Sequence, residues 1–170
     1  MANPLLVNAA ELLRRPGNEK RIEVAVPVAD LEIDDPDRFD EGAEVAVRLH
    51  LEALNDGIVV TGEVRVPWHG TCRRCLESTS GEAVSEVHEL YQRTLTDPDA
   101  FEIVGGQLDL RPATRELVLL DAPSTPLCRP DCAGLCPYCG GNRNEVACDC
   151  TPPPVSHWAD LGRAEHSEGG

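Results

Sequence analysis

Eight cysteines carry the most distinctive chemistry in this chain. Cys72 and Cys75 form one C-x2-C pair, and six more cysteines crowd a short segment near the end. Eight thiolates are the number required by two tetrahedral four-sulfur sites, which are typical of structural zinc. We therefore expect about two zinc ions per chain as cofactors, with these metal ligands: Cys72, Cys75, Cys128, Cys132, Cys136, Cys139, Cys148 and Cys150.

The spacing of the cysteines leaves two ways of dividing them between the sites. The division favoured here is Cys136, Cys139, Cys148 and Cys150 in a compact site, with Cys72, Cys75, Cys128 and Cys132 in the other. The second of these sites closes a long loop, which removes much conformational entropy from the unfolded chain. The alternative groups Cys128, Cys132, Cys136 and Cys139, and leaves Cys72 and Cys75 with Cys148 and Cys150.

The segment Cys136-Pro137-Tyr138-Cys139 also has the form of a glutaredoxin dithiol motif. A catalytic dithiol of that type needs a helix that begins at the first cysteine, because the helix dipole lowers the thiol pKa. Gly140 and Gly141 follow directly and disfavour a helix. A thiol-disulfide oxidoreductase using Cys136 and Cys139 is therefore the weaker alternative, and we expect no enzyme and no catalytic residues. An iron–sulfur cluster is a second possible use of four thiolates.

The net charge of the chain indicates which kinds of partner it could bind. The chain has 170 residues and a formal net charge of −15, far from the basic balance of domains that bind nucleic acid through its phosphates. The acidic surface is either simply solvated or suited to a basic protein. The sequence shows no evident signal peptide and no apolar stretch of about 18 residues. The cytosol would keep its many cysteines reduced and available to bind metal. The expected location is therefore cytoplasmic.

The elements that must position the cysteines read mainly as antiparallel strands. Residues 21–28, 44–54, 58–67 and 81–92 show strand-like alternation. Asn55-Asp56-Gly57 supplies a hairpin turn in which Gly57 is expected to adopt positive φ. Residues 34–42 and 94–107 read as loops.

Two helices complete the prediction. Asn8 and Glu11 have the spacing of a capping box before a short helix over residues 9–15. Asp109 is expected to cap a helix over 110–120, which Pro123 and Pro126 follow. The apolar face expected for that helix consists of Leu110, Ala113, Leu117 and Leu120.

These elements predict an α+β fold: an antiparallel β-meander with one packed helix and a Cys-rich zinc-binding module. The expected domains are a sheet domain over 1–127 and a zinc module over 128–150 that closes on Cys72 and Cys75. A Pro-rich, partly disordered tail is expected over 151–170, with a stiff run from Pro152 to Pro154 and a short turn capped by Ser156.

Charged residues near the cysteines are further candidates. A local arginine patch that contacts a partner or RNA phosphates would consist of Arg65, Arg73, Arg74, Arg129 and Arg143. The competing interpretation is local ion pairing with Glu77, Asp131, Glu145 and Asp149. Among the histidines, only His69 is placed to contact a ligand sulfur, and the others show no ligand spacing.

The residues from Cys72 to Cys150 resemble the YceD-like family, which is named for large ribosomal RNA subunit accumulation. The matching motifs are Cys72-x-x-Cys75-Leu76, Leu108-Asp109-Leu110-x-Pro112, Arg115-Glu116-Leu117, Pro126-Leu127-Cys128, Asp131-Cys132-x-Gly134-Leu135-Cys136-Pro137-x-Cys139-Gly140, Asn142-x-Asn144 and Cys148-x-Cys150. Arg143 departs from the pattern, since an apolar residue is expected between the two asparagines.

The resemblance implies a bacterial cytoplasmic protein needed for normal levels of large-subunit ribosomal RNA, without catalytic chemistry. We expect a zinc-stabilised, non-enzymatic factor in ribosome biogenesis. Its expected partners are ribosomal assembly intermediates, through a basic ribosomal protein or large-subunit rRNA, with no membrane and no small-molecule substrate. The alternative from another class is a zinc-ribbon module for nucleic-acid binding or transcription.

Overall fold

A computed structural model describes residues 3–151 of the chain. A five-stranded sheet has the order β2-β3-β4-β5-β6, and a separate two-stranded sheet pairs β1 with β7. The strands are β1 (Leu6–Asn8), β2 (Glu19–Pro27), β3 (Glu44–Ala53), β4 (Gly57–Thr71), β5 (Ser78–Gln92), β6 (Phe101–Glu102) and β7 (Gln107–Asp109). The helices are α1 (Ala9–Leu12) and α2 (Arg111–Asp121), and a 3-10 turn spans Val28–Leu31.

The large sheet has one buried and one solvated face. Along β3, Val45, Val47, Leu49 and Leu51 are each at most 5% exposed, while the residues between them point to solvent. This period of two is the pattern of an antiparallel sheet with one face on the core. The α+β fold with an antiparallel meander is confirmed. The short β6 adds a parallel pairing to β5 that the sequence analysis did not predict.

The hairpin between β3 and β4 forms where predicted, but Gly57 is needed there for a different reason. The Leu54 N–H donates to the Gly57 carbonyl at 2.8 Å, and Gly57 does not have a positive φ. A Cβ at this position would instead collide with the backbone carbonyl oxygen of Tyr91 on β5. The glycine therefore permits the close approach of two strands rather than a left-handed turn.

Helix α2 packs on the sheet with a buried face that differs in part from the predicted one. Leu110, Ala113 and Val118 are buried, and so is Thr114, whose hydroxyl donates to the Leu110 carbonyl at 2.7 Å. Because Thr114 and Val118 belong to the buried face, the core side of the helix is turned away from Leu120. Leu120 is 71% exposed, so its predicted place in the core is wrong.

The predicted cap of α2 is also displaced by one residue. Leu110 occupies the N-cap position and makes no side-chain capping bond. Asp109 lies one residue earlier, where its Oδ1 accepts the Arg111 backbone N–H at 3.0 Å. Its Oδ2 accepts from the Arg111 guanidinium at 2.6 Å. Asp109 thus stabilises the first turn from outside the cap position and is paired with a cation as well.

The first helix is shorter than the predicted 9–15, since it ends at Leu12. Its cap is as expected, with the Ala10 N–H donating to Asn8 Oδ1 at 3.0 Å. The predictions for Pro152–Pro154, Ser156 and the rest of the tail concern residues outside the described part. No helix within residues 3–151 is long and apolar enough to cross a membrane.

Candidate metal centres

Four cysteines from distant parts of the chain form the first cluster. The Sγ atoms of Cys72, Cys75, Cys128 and Cys132 all lie within 4.8 Å of one another. Two of the separations are 3.8 Å, between Cys72 and Cys132, and 3.6 Å, between Cys75 and Cys128. A tetrahedron with metal–sulfur bonds of about 2.3 Å has sulfur–sulfur edges of about 3.8 Å. The donors are therefore spaced as one tetrahedral ion requires.

Backbone hydrogen bonds hold the first pair of this cluster at the turn between β4 and β5. The Cys72 N–H donates to the Glu77 carbonyl at 2.8 Å, and the Leu76 N–H donates to the Cys72 carbonyl at 2.9 Å. Leu76 completes the turn with φ 62°, in the left-handed region. That conformation is costly for a side chain with a Cβ, so the turn is a tight and partly strained metal knuckle.

The second pair arrives on the chain that follows α2. The Arg73 N–H donates to the Pro126 carbonyl at 3.0 Å, which brings Cys128 beside the hairpin turn. The Arg74 guanidinium donates to the Cys132 carbonyl at 3.0 Å. These contacts fix the segment after the helix to the end of the β4–β5 hairpin.

Asn144 supports this cluster from outside, and the sequence analysis assigned it no role. Its Nδ2 donates to Cys132 Sγ at 3.3 Å. Its Oδ1 accepts from the Ala133 N–H at 2.8 Å and from the Arg129 guanidinium at 2.7 Å. Side chains that hydrogen-bond to a metal ligand fix its orientation and tune the site. The available signal was the Asn142-x-Asn144 motif.

The remaining four cysteines form the second cluster. The Sγ atoms of Cys136, Cys139, Cys148 and Cys150 also lie within 4.8 Å of one another. This grouping is the division of the eight cysteines that their spacing favours. The two clusters differ in exposure. Three of the four cysteines in the first are buried, whereas only Cys136 is buried in the second.

The local backbone of the second cluster is that of a knuckle. The Cys136 N–H donates to the Gly141 carbonyl at 2.8 Å, and the Gly140 N–H returns to the Cys136 carbonyl at 2.9 Å. Gly140 has φ 72°, a left-handed conformation that suits glycine. The Tyr138 N–H points at Cys136 Sγ at 3.5 Å. No helix begins at Cys136 or elsewhere between Ala122 and residue 151, so the helix dipole required by a glutaredoxin-type dithiol is missing from this described segment.

The thiol pKa values reflect these contacts. Backbone N–H groups of Cys139 and Tyr138 lower the pKa of Cys136 to about 6. Burial raises the pKa of Cys72, but N–H groups of Cys128, Cys75 and Arg74 outweigh it and lower that pKa to about 6. In contrast, burial and the neighbouring Cys75 raise the pKa of Cys128 to about 12. In each cluster at least one thiol therefore has a lowered pKa and is ready to bind a cation as a thiolate. The positive charge of a bound ion would favour deprotonation of the others.

The two clusters are joined through a short backbone link. The Leu135 N–H donates to the Arg74 carbonyl at 2.9 Å, and a bridge connects Leu135 with Asn142. Gly134 lies so near Arg74 that a Cβ would be 3.0 Å from its carbonyl oxygen. The second cluster is therefore attached to the turn that bears Cys72 and Cys75.

The predicted arginine patch is only partly assembled. Arg65 lies in the middle of β4, where its guanidinium pairs with Glu63 at 3.0 Å and with Glu82 at 3.1 Å. Six residues of strand lie between it and Cys72, a distance of about 23 Å at the rise of a β-strand. Its expected place beside the metal site is therefore wrong, because the regular strand carries it away from the turn.

The other members of that patch lie on the cluster segments. Arg74 and Arg129 donate to groups within the module, as described above, and Arg129 also approaches Asp131 at 3.6 Å. Arg73 and Arg143 make hydrogen bonds to this segment with their backbone N–H groups. The Arg143 N–H donates to the Gly134 carbonyl at 2.9 Å. Arg129 therefore pairs with Asp131, as the ion-pairing interpretation expects, whereas Arg74 bonds to a backbone carbonyl.

His69 does not support a sulfur in the described contacts. Its Nε2 lies 3.4 Å from an Asp40 carboxylate oxygen, and its backbone N–H donates to the Arg38 carbonyl at 2.9 Å. His50 faces Glu19 at 3.6 Å on the outer side of the sheet. His157 and His166 lie outside the described residues.

The fold and the two clusters define a class of protein: a small antiparallel sheet whose long hairpin is joined to a cysteine-rich segment that could hold two metal ions. Residues 60–163 match the model of the family described as "Large ribosomal RNA subunit accumulation protein YceD", and the chain belongs to that family. The matched range includes all eight cysteines, so the resemblance inferred from the motifs is confirmed.

Mycobacterial proteins are among its relatives. Uncharacterized protein Mb2951c of Mycobacterium bovis is 35% identical over 150 residues, covering 82% of this chain and 71% of the relative. Uncharacterized protein Rv2926c of Mycobacterium tuberculosis matches with the same identity and coverage. Uncharacterized protein ML1660 of Mycobacterium leprae is 28% identical over 152 residues, covering 82% of this chain and 68% of the relative. No solved structure matches the chain.

Proposed function

We propose that the chain is a zinc-stabilised, non-enzymatic factor that supports accumulation of large-subunit ribosomal RNA in the bacterial cytoplasm. Family membership supports the ribosomal role. The observation that carries the structural part is the closed geometry of the two four-sulfur clusters. An ion held by four thiolates has no open position for water or substrate, so it builds structure and does not catalyse.

Zinc is the proposed ion, with two per chain and all eight cysteines as ligands. The separations of 3.6 and 3.8 Å between sulfurs suit a single central ion in the first cluster. An iron–sulfur cluster instead distributes its thiolates over two or more irons. We also propose the division into a sheet domain over 1–127, a zinc module over 128–150 that closes on Cys72 and Cys75, and a tail over 151–170.

The proposed partner within an assembly intermediate is a basic ribosomal protein. A formal net charge of −15 repels the phosphates of RNA and attracts a basic surface. Arg65, Arg74 and Arg129 are already counted in that charge, and each pairs or hydrogen-bonds within the chain, so it has fewer donors to offer RNA phosphates. The same engagement disfavours a general zinc-ribbon module that binds nucleic acid.

The proposal is tested by depleting the protein in its own organism and measuring precursor and mature large-subunit rRNA against small-subunit rRNA. We expect a selective fall in large-subunit rRNA, restored by the wild-type chain and not by a Cys72→Ser, Cys75→Ser variant. Unchanged ratios after depletion would refute the ribosomal role. Affinity purification at low and high salt tests the partner: a basic protein should be retained at low salt and lost at high salt, whereas recovery of RNA alone contradicts the proposal.

A further inference from the structure

Strand β2 is an open edge of the main sheet. Over nine residues it pairs with β3 on one side, and no other described strand pairs with it on the other side. The described hydrogen bonds outside the regular ladders include none to the backbone of residues 19–26. A row of unpaired N–H and C=O groups of this kind is a template for another strand.

The register shows which groups are open. The Ala53 N–H donates to the Asn18 carbonyl at 2.8 Å, and the Val28 N–H donates to the Ala43 carbonyl at 2.9 Å. In both bonds the residue beside β2 has an even number, Asn18 or Val28, and each pair continues the register that β2 has with β3. Hydrogen-bonding residues alternate along an antiparallel strand, so the odd-numbered residues direct their backbone groups away from β3. The open positions are Glu19, Arg21, Glu23 and Ala25.

This edge has little of the protection that usually prevents strand addition. Pro27 lies only at its last position, and the nine-residue register with β3 is continuous, without a bulge. From Ile22 onward the residues that face the core are apolar: Ile22 and Val26 are buried, and Val24 packs partly against the core. Edges that avoid pairing are commonly short, bulged or charged on the inward face. β2 is long and regular, and its one charge on that face, Lys20, lies at the exposed start of the strand.

The outer face of the edge carries two carboxylates, Glu19 and Glu23, with Arg21 between them. Glu19 lies directly opposite Glu52 in the register, and like charges in that position destabilise a sheet. Among the described residues, His50 is the only basic side chain within 4 Å of the Glu19 carboxylate, at 3.6 Å. Glu23 is 76% exposed at its side chain although it pairs with Arg48. A strand added at β2 would place its own side chains beside Glu19 and Glu23.

We propose that β2 accepts an extended basic segment of a protein partner as an additional antiparallel strand. Lysine or arginine side chains of the segment lie beside Glu19 and Glu23 on the outer face. The alternate residues are apolar and extend the core beside Ile22 and Val24. The main-chain ladder supplies affinity and the side chains supply selectivity, as in other cases of strand addition. This inference deepens the proposed function, on which its choice of a basic protein partner rests.

A designed peptide tests the inference directly. The probe is an acetylated, amidated nonapeptide that alternates lysine with valine, measured by titration calorimetry against the metal-loaded full chain. One derivative is N-methylated at the lysines, whose N–H groups face β2 when their side chains lie on the outer face. The matched derivative carries the same number of N-methyl groups at the valines, whose N–H groups point away. Only lysine methylation should weaken binding, by at least tenfold. Equal affinities of the two derivatives would overturn the proposal in favour of unspecific charge attraction.

Two substitutions on the protein separate the ladder from the charge. Arg21→Pro and Arg21→Gln remove the same cation, but only proline removes an open N–H donor, and an edge strand tolerates proline on that side. Arg21→Gln should bind the probe at least as well as the wild type. Arg21→Pro should bind at least tenfold more weakly than Arg21→Gln, with an unchanged far-UV circular dichroism spectrum as the check on folding. Equal binding by the two variants contradicts strand addition.

Amide hydrogen exchange provides a readout that does not depend on variants. In the free chain, the amides of Arg21, Glu23 and Ala25 should exchange much faster than those of Ile22 and Val24. The probe should slow the first set by at least tenfold. Protection of all five amides without the probe, together with a dimer in sedimentation, would assign the edge to a second copy and overturn the proposal. Failure of the probe to bind, with rRNA still falling on depletion, would reject this inference alone. Binding without any rRNA effect would reject the proposed function.

Discussion

Cys72 and Cys132 are 60 positions apart in the sequence, and their Sγ atoms lie 3.8 Å apart. One cysteine lies at the turn between β4 and β5, and the other follows α2. An ion shared by them would link the long hairpin to the segment after the helix. The second cluster is more local, since its four cysteines lie within one short segment. The two centres should therefore differ in what they contribute to stability.

The first prediction compares one ligand from each centre. Cys72→Ser should remove one ion and lower the free energy of unfolding by about 3–4 kcal/mol, because the cross-link closing the long loop is lost. Cys150→Ser should also remove one ion but cost about 1–2 kcal/mol, since the loop it closes is short. Urea denaturation with metal analysis of each variant measures both effects. Equal losses of stability would contradict the unequal roles of the centres.

Asn144 gives a prediction about metal affinity. Asn144→Ala removes the hydrogen bond to Cys132 Sγ and should weaken the first centre about 10- to 100-fold, as is typical for outer partners of metal ligands. Asn144→Asp should be weaker still, because a carboxylate cannot donate to the thiolate and repels it. Competition with a chromophoric chelator measures the affinities. Asn55→Ala, in the exposed hairpin turn, is the control and should match the wild type.

Leu76 tests the strain in the first knuckle. It adopts φ 62°, and its side chain is 64% exposed, so little packing is lost when the side chain is removed. Leu76→Gly should raise the free energy of unfolding by about 1 kcal/mol, because glycine adopts this conformation without a Cβ clash. Leu76→Ala retains the Cβ and should give no such gain. If both variants stabilise the chain equally in thermal unfolding, the left-handed backbone is not the cause.

Asp109 gives a prediction about acid stability. Its hydrogen bonds from the Arg111 side chain are the main cause of a lowered pKa. A carboxyl group with a lower pKa in the folded than in the unfolded chain stabilises the fold above its unfolded pKa, about 4, and loses that contribution as the pH falls. Asp109→Asn should therefore be less stable than the wild type at pH 7, by at most about 1 kcal/mol for so exposed a pair.

The pH dependence of that difference is the decisive measurement. Urea midpoints of wild type and Asp109→Asn should converge as the pH falls below about 4, because the wild-type carboxylate is then protonated too. Loss of metal from protonated thiolates affects both proteins alike and cancels in the comparison. A difference that stays constant down to pH 3 would show that the ion pair with Arg111 is not its source.

The strands could be predicted because β3 alternates strictly and one register follows from its buried face. The sequence could not predict that Gly57 serves a close approach to Tyr91, because that contact depends on a strand more than thirty residues later. The pairing of β1 with β7 was missed for a similar reason. Each has three residues, which is too short for a periodic signal, and their partners are distant in sequence.

Within the candidate site, the grouping of the cysteines followed from spacing, whereas the environment around them did not. Asn144 contacts Cys132 only because the segment turns back between Leu135 and Asn142. Arg65 was misplaced because adjacency in sequence was taken for adjacency in space, although an extended strand separates residues quickly. Contacts that depend on how irregular backbone folds back lie beyond what residue types and spacing can specify.

The length of the β4–β5 hairpin has a consequence for how this end of the molecule comes apart. β3 pairs with β4 only as far as Arg65, and from Val66 to Thr71 β4 pairs with β5 and with no other strand of the described residues. Beyond β3 this two-stranded ribbon has little other support, chiefly the bond from the His69 N–H to the Arg38 carbonyl and the packing of Val66 and Trp68. Two strands alone are barely stable in water, and the proposed ion lies at the tip of this pair. Removing that ion should let the last rungs fray inward toward Arg65 while the sheet beneath stays intact. The ordered length of the ribbon would then depend on the concentration of free metal ion around the protein.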